Sequence, residues 1–330
     1  MRRTIRRALG AMSACALLAA APAALSQVVG IATDQQGSLG YNTGQAVAKI
    51  ANQKAKITAR IQPMSGTAAY LPLIDRNEMQ FGFCNLVEAE YALTGTGNFE
   101  GKKNPNLQLV GVMFPLRTGL MVAADSGIKT IKDLKAKASG LRIASEYTSS
   151  TIIKYYIEGA LANGGMTYAE FKQVPVSGFV KGMEALGDGL VDVTLISLNS
   201  AGGKKVNAQL RSRGGIQYVS LDDSAEGEKR FKDFLPAAEI IHMKANPDIP
   251  GLIEAANIIS IPWVMVTNKD ASEALVYGIT KAVVENEKEL GDTFGAFKQA
   301  NVKKMAPSSK LAYHPGALKY YKEAGIPVGK

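Results

Sequence analysis

The sequence predicts an α/β fold built as two similar sections with a ligand-sized crevice between them. Three observations carry this expectation. Short apolar runs alternate with helix-length amphipathic stretches along most of the chain, the pattern of sheets layered with helices. The alternation restarts after Ala124 in a second layout of the same kind. The junctions that follow the strands are rich in Gly, Ser, Thr and Asn and each opens a helix, and open α/β sheets bind ligands at such carboxyl ends.

Val28 to Ala32 reads as the first strand and Thr33 to Gly40 as a Gly-rich loop. Tyr41 to Gln53 follows as a helix with Ala46, Val47 and Ile50 on one face. Ile57 to Gln62 alternates as a second strand, Ala68 to Asn77 is a short helix, Met79 to Cys84 a third strand, and Leu86 to Leu93 begins another helix. Leu107 to Phe114 and Leu120 to Ala124 are expected as two strands interrupted by a Pro115 to Gly119 loop. In the second section Thr130 to Lys135 is a short helix capped by Thr130 or Ser126, and Leu141 to Ala144 is a strand. Ser149 to Asn163 is a helix closed by Gly164-Gly165. Gln173 to Val176 and Val191 to Ile196 are strands flanking a helix from Val180 to Leu186. The last third holds an apolar run, Ile258 to Thr267, and long helices over Ser272 to Glu289 and Gly316 to Ala324. The expected division is residues 27–122 with 258–330 as one lobe and 123–257 as the other.

Residues 1–26 of the 330 read as a cleavable export signal: Arg2, Arg3, Arg6 and Arg7, then an uncharged run rich in Ala and Leu, then small residues at Ala24 and Ser26. A membrane anchor is the competing reading, but the run is barely long enough to span and contains Pro22. Met12-Ser13-Ala14-Cys15 faintly resembles a lipoprotein box, and Arg6-Arg7 a twin-arginine signal whose surroundings fit poorly. The expected location is therefore periplasmic, with the export route left open. Removing the four arginines lowers the formal charge from +9 to +5, a modest basic bias that weakly favours anionic ligands. The basic residues are spread along the chain, without the concentrated face that nucleic acid requires.

Catalytic and metal-binding patterns are missing, so neither an enzyme nor a cofactor is expected. His242, in a strand-like run, and His314, in a turn before a helix, are the only histidines, and neither has a ligand at metal spacing. There is no nucleophile elbow, and Asp222-Asp223 sits in a solvated-looking stretch. Gly37, Gly40 and Gly44 do not give dinucleotide spacing. Cys84, the one cysteine past the signal, cannot form an internal disulfide and reads as a small buried side chain.

Five polar loops remain: Gly37 to Gly44 with Ser38 and Tyr41, Met64 to Thr67 with Ser65 and Thr67, Asn85, Tyr147 to Thr151 with Tyr147, Thr148 and Ser149, and Ser197 to Ser200 with Asn199. Helix starts expose unpaired N–H groups that suit carboxylates, and hydroxyls and amides add directional bonds. Any one loop is explained as well by ordinary capping. Five in comparable places favour one shared cleft. Arg117, after Pro115, is the candidate counter-ion for a carboxylate, with a surface or interlobe ion pair as the alternative. Tyr41 and Tyr147, beside polar loops, are the candidate walls; Phe114 and Trp263 are as readily core.

These motifs together resemble the TAXI family, the solute receptors of one class of TRAP transporter. The resemblance rests on Gly37-Ser38-Leu39-Gly40-Tyr41-Asn42-Thr43-Gly44-Gln45, Ser65-Gly66-Thr67, Phe81-Gly82-Phe83-Cys84-Asn85, Ala124-Asp125-Ser126-Gly127-Ile128-Lys129-Thr130 with Asp133-Leu134-Lys135, Asp188-Gly189-Leu190-Val191-Asp192 and, most specifically, Tyr313-His314-Pro315-Gly316-Ala317-Leu318-Lys319-Tyr320-Tyr321. It implies a two-lobed type II periplasmic binding protein fold with a hinge. It also implies a carboxylate, keto acid or amino acid such as glutamate or 2-oxoglutarate as ligand, and delivery to a TRAP membrane permease. A sensor of the same fold reporting to a membrane signalling protein is the alternative. Two departures touch the expected ligand walls: Cys84-Asn85-Leu86-Val87 stands where many relatives have Gln-Ser-Asp, and Glu146-Tyr147-Thr148-Ser149-Ser150 replaces a more Gly-rich loop. Glu146 disfavours a strongly anionic ligand unless it is turned away.

Overall fold

Val29–Thr33 is buried along its whole length and forms β1, a central strand with a parallel neighbour on each side. The computed structural model in which this is seen describes residues 28–329, so the expected export segment, with Cys15 and the arginine pair, lies outside the described residues. α1 (Leu39–Lys54) leads to the edge strand β2 (Ala59–Pro63), and α2 (Thr67–Asp75) to β3 (Phe81–Asn85) and α3 (Leu86–Thr94). Ile31 of β1 sits between Ile61 of β2 and Phe81 of β3.

β4 (Leu107–Ala123) then runs as one strand through the region where a loop was expected. The second section follows: α4 (Ile131–Lys137), β5 (Arg142–Glu146), α5 (Ile152–Asn163), β6 (Lys172–Val176), α6 (Phe179–Gly187), β7 (Thr194–Ser197) and α7 (Ala201–Gln209). It continues with β8 (Ile216–Tyr218), α8 (Ala225–Phe234) and β9 (Glu239–Met243). β10 (Ala256–Asn268) returns along β4, and α9 (Glu273–Glu285), α10 (Glu287–Thr293) and α11 (Pro315–Glu323) complete the chain. The fold is the two-lobed α/β arrangement of periplasmic binding proteins. In the division expected from the sequence, β1, β2 and β3 fall in the first lobe and β5 to β9 in the second.

β4 and β10 are antiparallel partners over most of their length and join the lobes. The far half of β10 pairs with β3, and its near half with β9. The far half of β4 pairs with β7 and β8. Pro115 lies directly opposite Pro262. A proline has no N–H for a sheet, so it fits where its strand lacks a second neighbour. Pro115 precedes the first β7 pairing at Thr118, and Pro262 falls between the last β9 pairing at Ser260 and the first β3 pairing at Trp263. The prolines therefore mark the crossing without ending either strand, and Arg117 lies in a strand rather than a loop.

The long helix expected over Ser272 to Glu289 also differs from expectation. It breaks at Asn286, whose side chain donates to the Ala282 carbonyl at 2.8 Å and competes with the backbone for it. α5 starts three residues later than expected because Glu146 and Tyr147 are both left-handed (φ 66° and 48°) and Ser149 N–H is taken by the Ser177 carbonyl. His314 caps α11: its Nδ1 accepts from Gly316 N–H at 3.1 Å, which leaves Nε2 to donate to the Ala271 carbonyl at 3.1 Å. Burial holds its pKa below the ordinary value. Gly316 lets α11 lie against the backbone of α9, where a Cβ would overlap the Glu273 carbonyl oxygen and sit 2.9 Å from Tyr277 N. Gly316→Ala is expected to cost about 1–3 kcal/mol, because backbone atoms cannot give way. A lowered urea midpoint with unchanged slope would show it; an unchanged midpoint would mean that α11 shifts freely.

Candidate functional site

The carboxyl ends of β1, β2 and β3 open on one cleft of about 580 Å³, counted with its open mouth. Asp34, Gln35 and Ser38 follow β1; Ser65, Gly66 and Thr67 follow β2; Asn85 and Glu88 follow β3. The opposite wall is Ser150, Ile152, Ile153 and Tyr156 at the start of α5, Phe179 and Val180 at the start of α6, and Ser197 at the end of β7. Leu116 of β4 and Trp263 of β10 come from the two joining strands.

Two carboxyl groups dominate the chemistry of the first wall. Glu88 is 1% exposed; its Oε1 accepts from Thr67 Oγ1 and from Asn98 Nδ2 (2.7 Å), and its Oε2 from Asn85 Nδ2 (3.1 Å). Asn85 at the same time caps α3 through its Oδ1 (2.8 Å from Glu88 N). Burial pushes the Glu88 carboxyl up to about 8; the Thr67 bond opposes this and the nearby Asp34 charge reinforces it. Asp34 is half-buried and keeps an opening to the cleft, yet burial raises it to about 7, with a hydrogen bond from Tyr70 (3.4 Å) opposing. Tyr70 also donates to the Phe83 carbonyl. Cys84 is free and buried next to this group, and burial pushes its thiol up.

Several polar atoms at the cleft have no partner. Trp263 Nε1 and Tyr156 Oη are buried and make no hydrogen bond among the described residues, although both residues are cleft-lining and more than nine-tenths buried. Such an atom costs about 1–3 kcal/mol when left unsatisfied. α1 and α3 are capped by Ser38 and Asn85, whereas α2, α5 and α6 begin at Gly66, Thr151 and Gly178 without a side-chain cap. The starts of these three helices line the cleft and turn their dipole ends toward it.

The lobes touch across the mouth. Gly202 N–H donates to the Gly37 carbonyl at 2.9 Å, Ser150 Oγ to the Ser65 carbonyl at 3.3 Å, and Tyr91 Oη to the Phe234 carbonyl at 3.2 Å. The rings of Tyr91 and Tyr155 pack at 6.0 Å. Gly66 sits so close to the other lobe that a Cβ there would overlap the Ser149 carbonyl oxygen. The arrangement is a closed cleft.

Of the residues singled out from sequence, Ser38, Ser65, Thr67 and Asn85 line the cleft. Tyr41 is outside it, accepting from Gln45 Nε2 at 3.1 Å. Tyr147 is fully buried inside its lobe, its hydroxyl 2.9 Å from Thr194 Oγ1, and burial pushes its pKa up. Thr148 is exposed, and the hydroxyls of Thr148 and Ser149 donate to the Ser177 carbonyl at 3.5 and 2.5 Å. Asn199 is left-handed (φ 64°) and borders a separate small hollow with Lys204 and Pro250. Successive strand residues face opposite sides, so with Leu116 on the cleft Arg117 is turned away from it. Arg117 Nε is buried without a partner, and burial lowers its pKa. Glu146 is exposed and outside the lining.

Asp34, Glu88 and Tyr156, which were not named from sequence as ligand contacts, carry most of the cleft's chemistry together with Trp263, which was weighed only as an apolar wall or core residue. A signal existed for Glu88: Asn85 followed three residues later by Glu is a helix-start pattern. Among the described residues no group of three or more His, Cys, Asp or Glu could hold a metal ion, and no helix is long and apolar enough to cross a membrane.

The sequence profile of the NMT1-like family matches residues 31–325. Among solved structures, one described as a periplasmic transporter is similar with a TM-score of 0.58 at 12% identity, covering 90% of this chain and 92% of its own. PhnD1 from Prochlorococcus marinus (MIT 9301), in complex with methylphosphonate, gives 0.54 at 12% identity and 92% and 100% coverage. MatC (Rpa3494) from Rhodopseudomonas palustris, with bound malate, gives 0.53 at 13% identity and 82% and 88% coverage. At these identities the likeness is one of fold.

Proposed function

The chain belongs to the NMT1-like family, and we propose that it is an exported periplasmic solute receptor that closes on a small carboxylate or amino-acid-like ligand and hands it to a TRAP-type permease. The observation that carries this reading is the closed cleft with buried polar atoms, Trp263 Nε1 and Tyr156 Oη, that no described residue satisfies. A bound solute would give both atoms partners. Ser65, Thr67 and the uncapped start of α2 offer contacts from one lobe, and Ser150 with the starts of α5 and α6 from the other. Ser38 and Asn85 stay within the reading as cleft residues whose caps shape the wall. Tyr41, Arg117, Tyr147, Thr148, Ser149 and Asn199 would act, if they take part, from outside the lining seen here.

Export rests on the order of charged, apolar and small residues in residues 1–26, and the TRAP assignment on the sequence resemblance to TAXI receptors. The lobe limits near residues 122 and 257 are part of the same reading, and the facing prolines favour a crossing slightly before the first and slightly after the second. The methylphosphonate and malate held by two proteins of this fold support a small solute. The lining groups are hydroxyls, amides, carboxyls and apolar walls arranged for binding, and we assign no chemical step to them.

The test is a thermal-shift screen of carboxylates, keto acids and amino acids on the protein without residues 1–26, with native mass spectrometry of the fresh preparation. A true ligand at about 100 times its Kd is expected to add about 2.7 kcal/mol and raise Tm clearly. A folded protein that no small solute stabilises would defeat the receptor reading.

A further inference from the structure

Building on the receptor reading, we infer that the ligand carries a positively charged nitrogen that sits on Asp34, with its acceptor end turned toward Trp263 and the uncapped helix starts. The ligand is thus an ammonium-bearing zwitterion rather than a dicarboxylate.

The argument starts from charge. Among the described residues lining the cleft, Asp34 and Glu88 are the only ones of charged type, and no lysine, arginine or histidine faces them there. Glu88 is already engaged by Thr67, Asn98 and Asn85 and is closed off from solvent, so its role is to support the wall. Asp34 is different. Its Oδ1 has only the long contact to Tyr70, its Oδ2 accepts no hydrogen bond from a described residue, and it keeps an opening to the cleft. Gly40 leaves the room that Oδ2 occupies, since a Cβ there would lie 2.5 Å from it. A carboxylate so placed is an unfilled acceptor, and a cation with N–H donors fills it.

The opposite polarity is also present. Trp263 Nε1 is donor-only and unpartnered, and the starts of α2, α5 and α6 add N–H dipoles without side-chain caps. Tyr156 Oη, also unpartnered, can serve either end, and it lies within electrostatic reach of both carboxyls. A second carboxylate on the ligand would face two acids with no base between them. Burial raises both acids, Asp34 to about 7 and Glu88 to about 8, as expected for carboxyls that lack a cationic partner. The other titratable groups around Asp34 are Tyr70 on α2, Cys84 on β3, Glu88 on α3 and Tyr156 on α5, and none of them supplies a positive charge.

The experiment compares matched probes on the purified protein without residues 1–26: leucine with 4-methylpentanoate, glutamate with glutarate, and further amino acids with their deaminated counterparts. The expected result is that an ammonium-bearing member shifts Tm and its deaminated partner does not. Asp34→Asn should weaken the amino acid at least tenfold, with no loss of unliganded Tm, because the neutral amide removes the cost of a buried charge. Calorimetry of the unaltered protein at pH 7 in two buffers of different ionisation enthalpy gives a readout that no purely structural role would move. Binding should release about half a proton, because an acid at about 7 is half protonated there and the ammonium ionises it. If deaminated analogues, glutarate included, bind as well as the amino acids, or no proton is released, the charge assignment is overturned while the receptor reading stands. If no probe in either series binds, both fall together.

Discussion

Gly66→Ser is expected to weaken ligand capture by about 100-fold or more while leaving the unliganded protein as stable as before. Gly66 has φ 164° and ψ 175°, extended backbone that any residue adopts, so the new side chain does not strain its own loop. Serine is also a preferred N-cap, and Gly66 holds the N-cap of α2 with no side-chain bond of its own. The damage lies only between lobes. The added Cβ would overlap the Ser149 carbonyl oxygen and crowd Ser150 Oγ at 3.3 Å. A backbone oxygen cannot swing aside, and overpacking of this kind costs about 3 kcal/mol. That cost falls on the closed state alone, so it subtracts directly from binding, and each 1.4 kcal/mol is about tenfold. Calorimetric titration with a ligand from the screen measures it, and small-angle scattering should show the variant staying open at saturating ligand. Undiminished affinity would mean that the cleft does not close on the Gly66–Ser149 contact.

Glu88 is expected to make the unliganded protein lose stability as the pH rises. Its folded pKa is raised to about 8 from an ordinary 4.5, by burial first. Between those two values the folded chain holds a proton that the unfolded chain has released, so stability falls steadily across the window and levels off above about pH 8. The loss is on the order of 3 kcal/mol, at about 1.4 kcal/mol per pKa unit and allowing for relaxation around the ionised form. Asp34, raised to about 7, acts in the same direction at lower pH and more weakly because it opens on the cleft. Urea melts from pH 5 to pH 9 should therefore slope downward, and Glu88→Gln should remove most of the slope whatever it does at any single pH. A profile for the variant as steep as that of the unaltered protein would show that Glu88 does not carry the effect.

The layers of this fold were legible because burial imposes a period. Val29–Thr33 is apolar on both faces and is a central strand, and α1 begins two residues before the expected Tyr41 because Ser38 caps it. What local pattern could not show was pairing at a distance. Pro115 and Gly119 read as breakers, and only the missing neighbours beside Pro115 and Pro262 explain why one strand passes through. The same limit applies to the cleft. Ser38, Thr67 and Asn85 announce themselves as polar residues at helix starts, and the strands deliver them to one place. The significance of Asp34, Glu88, Trp263 and Tyr156 depends on which atoms burial leaves without partners, and no single segment contains that information. Tyr147 shows the reverse. It stands beside a polar loop in sequence, but two left-handed residues in succession turn its ring into the lobe interior.

The two strands shared between the lobes also bear on how the molecule comes apart. The far half of β10 lies between β3 and β4, and the far half of β4 carries β7 and β8, so the large sheet is shared between the lobes and only the β5–β6 pair stands apart from it. Melting one lobe alone would cut both strands in mid-ladder and strip an edge from the survivor. The lobes are therefore expected to unfold as a single cooperative unit, although the proposed capture moves them as two bodies. The mobility that capture requires can then be high without a partly unfolded intermediate to expose the apolar strands.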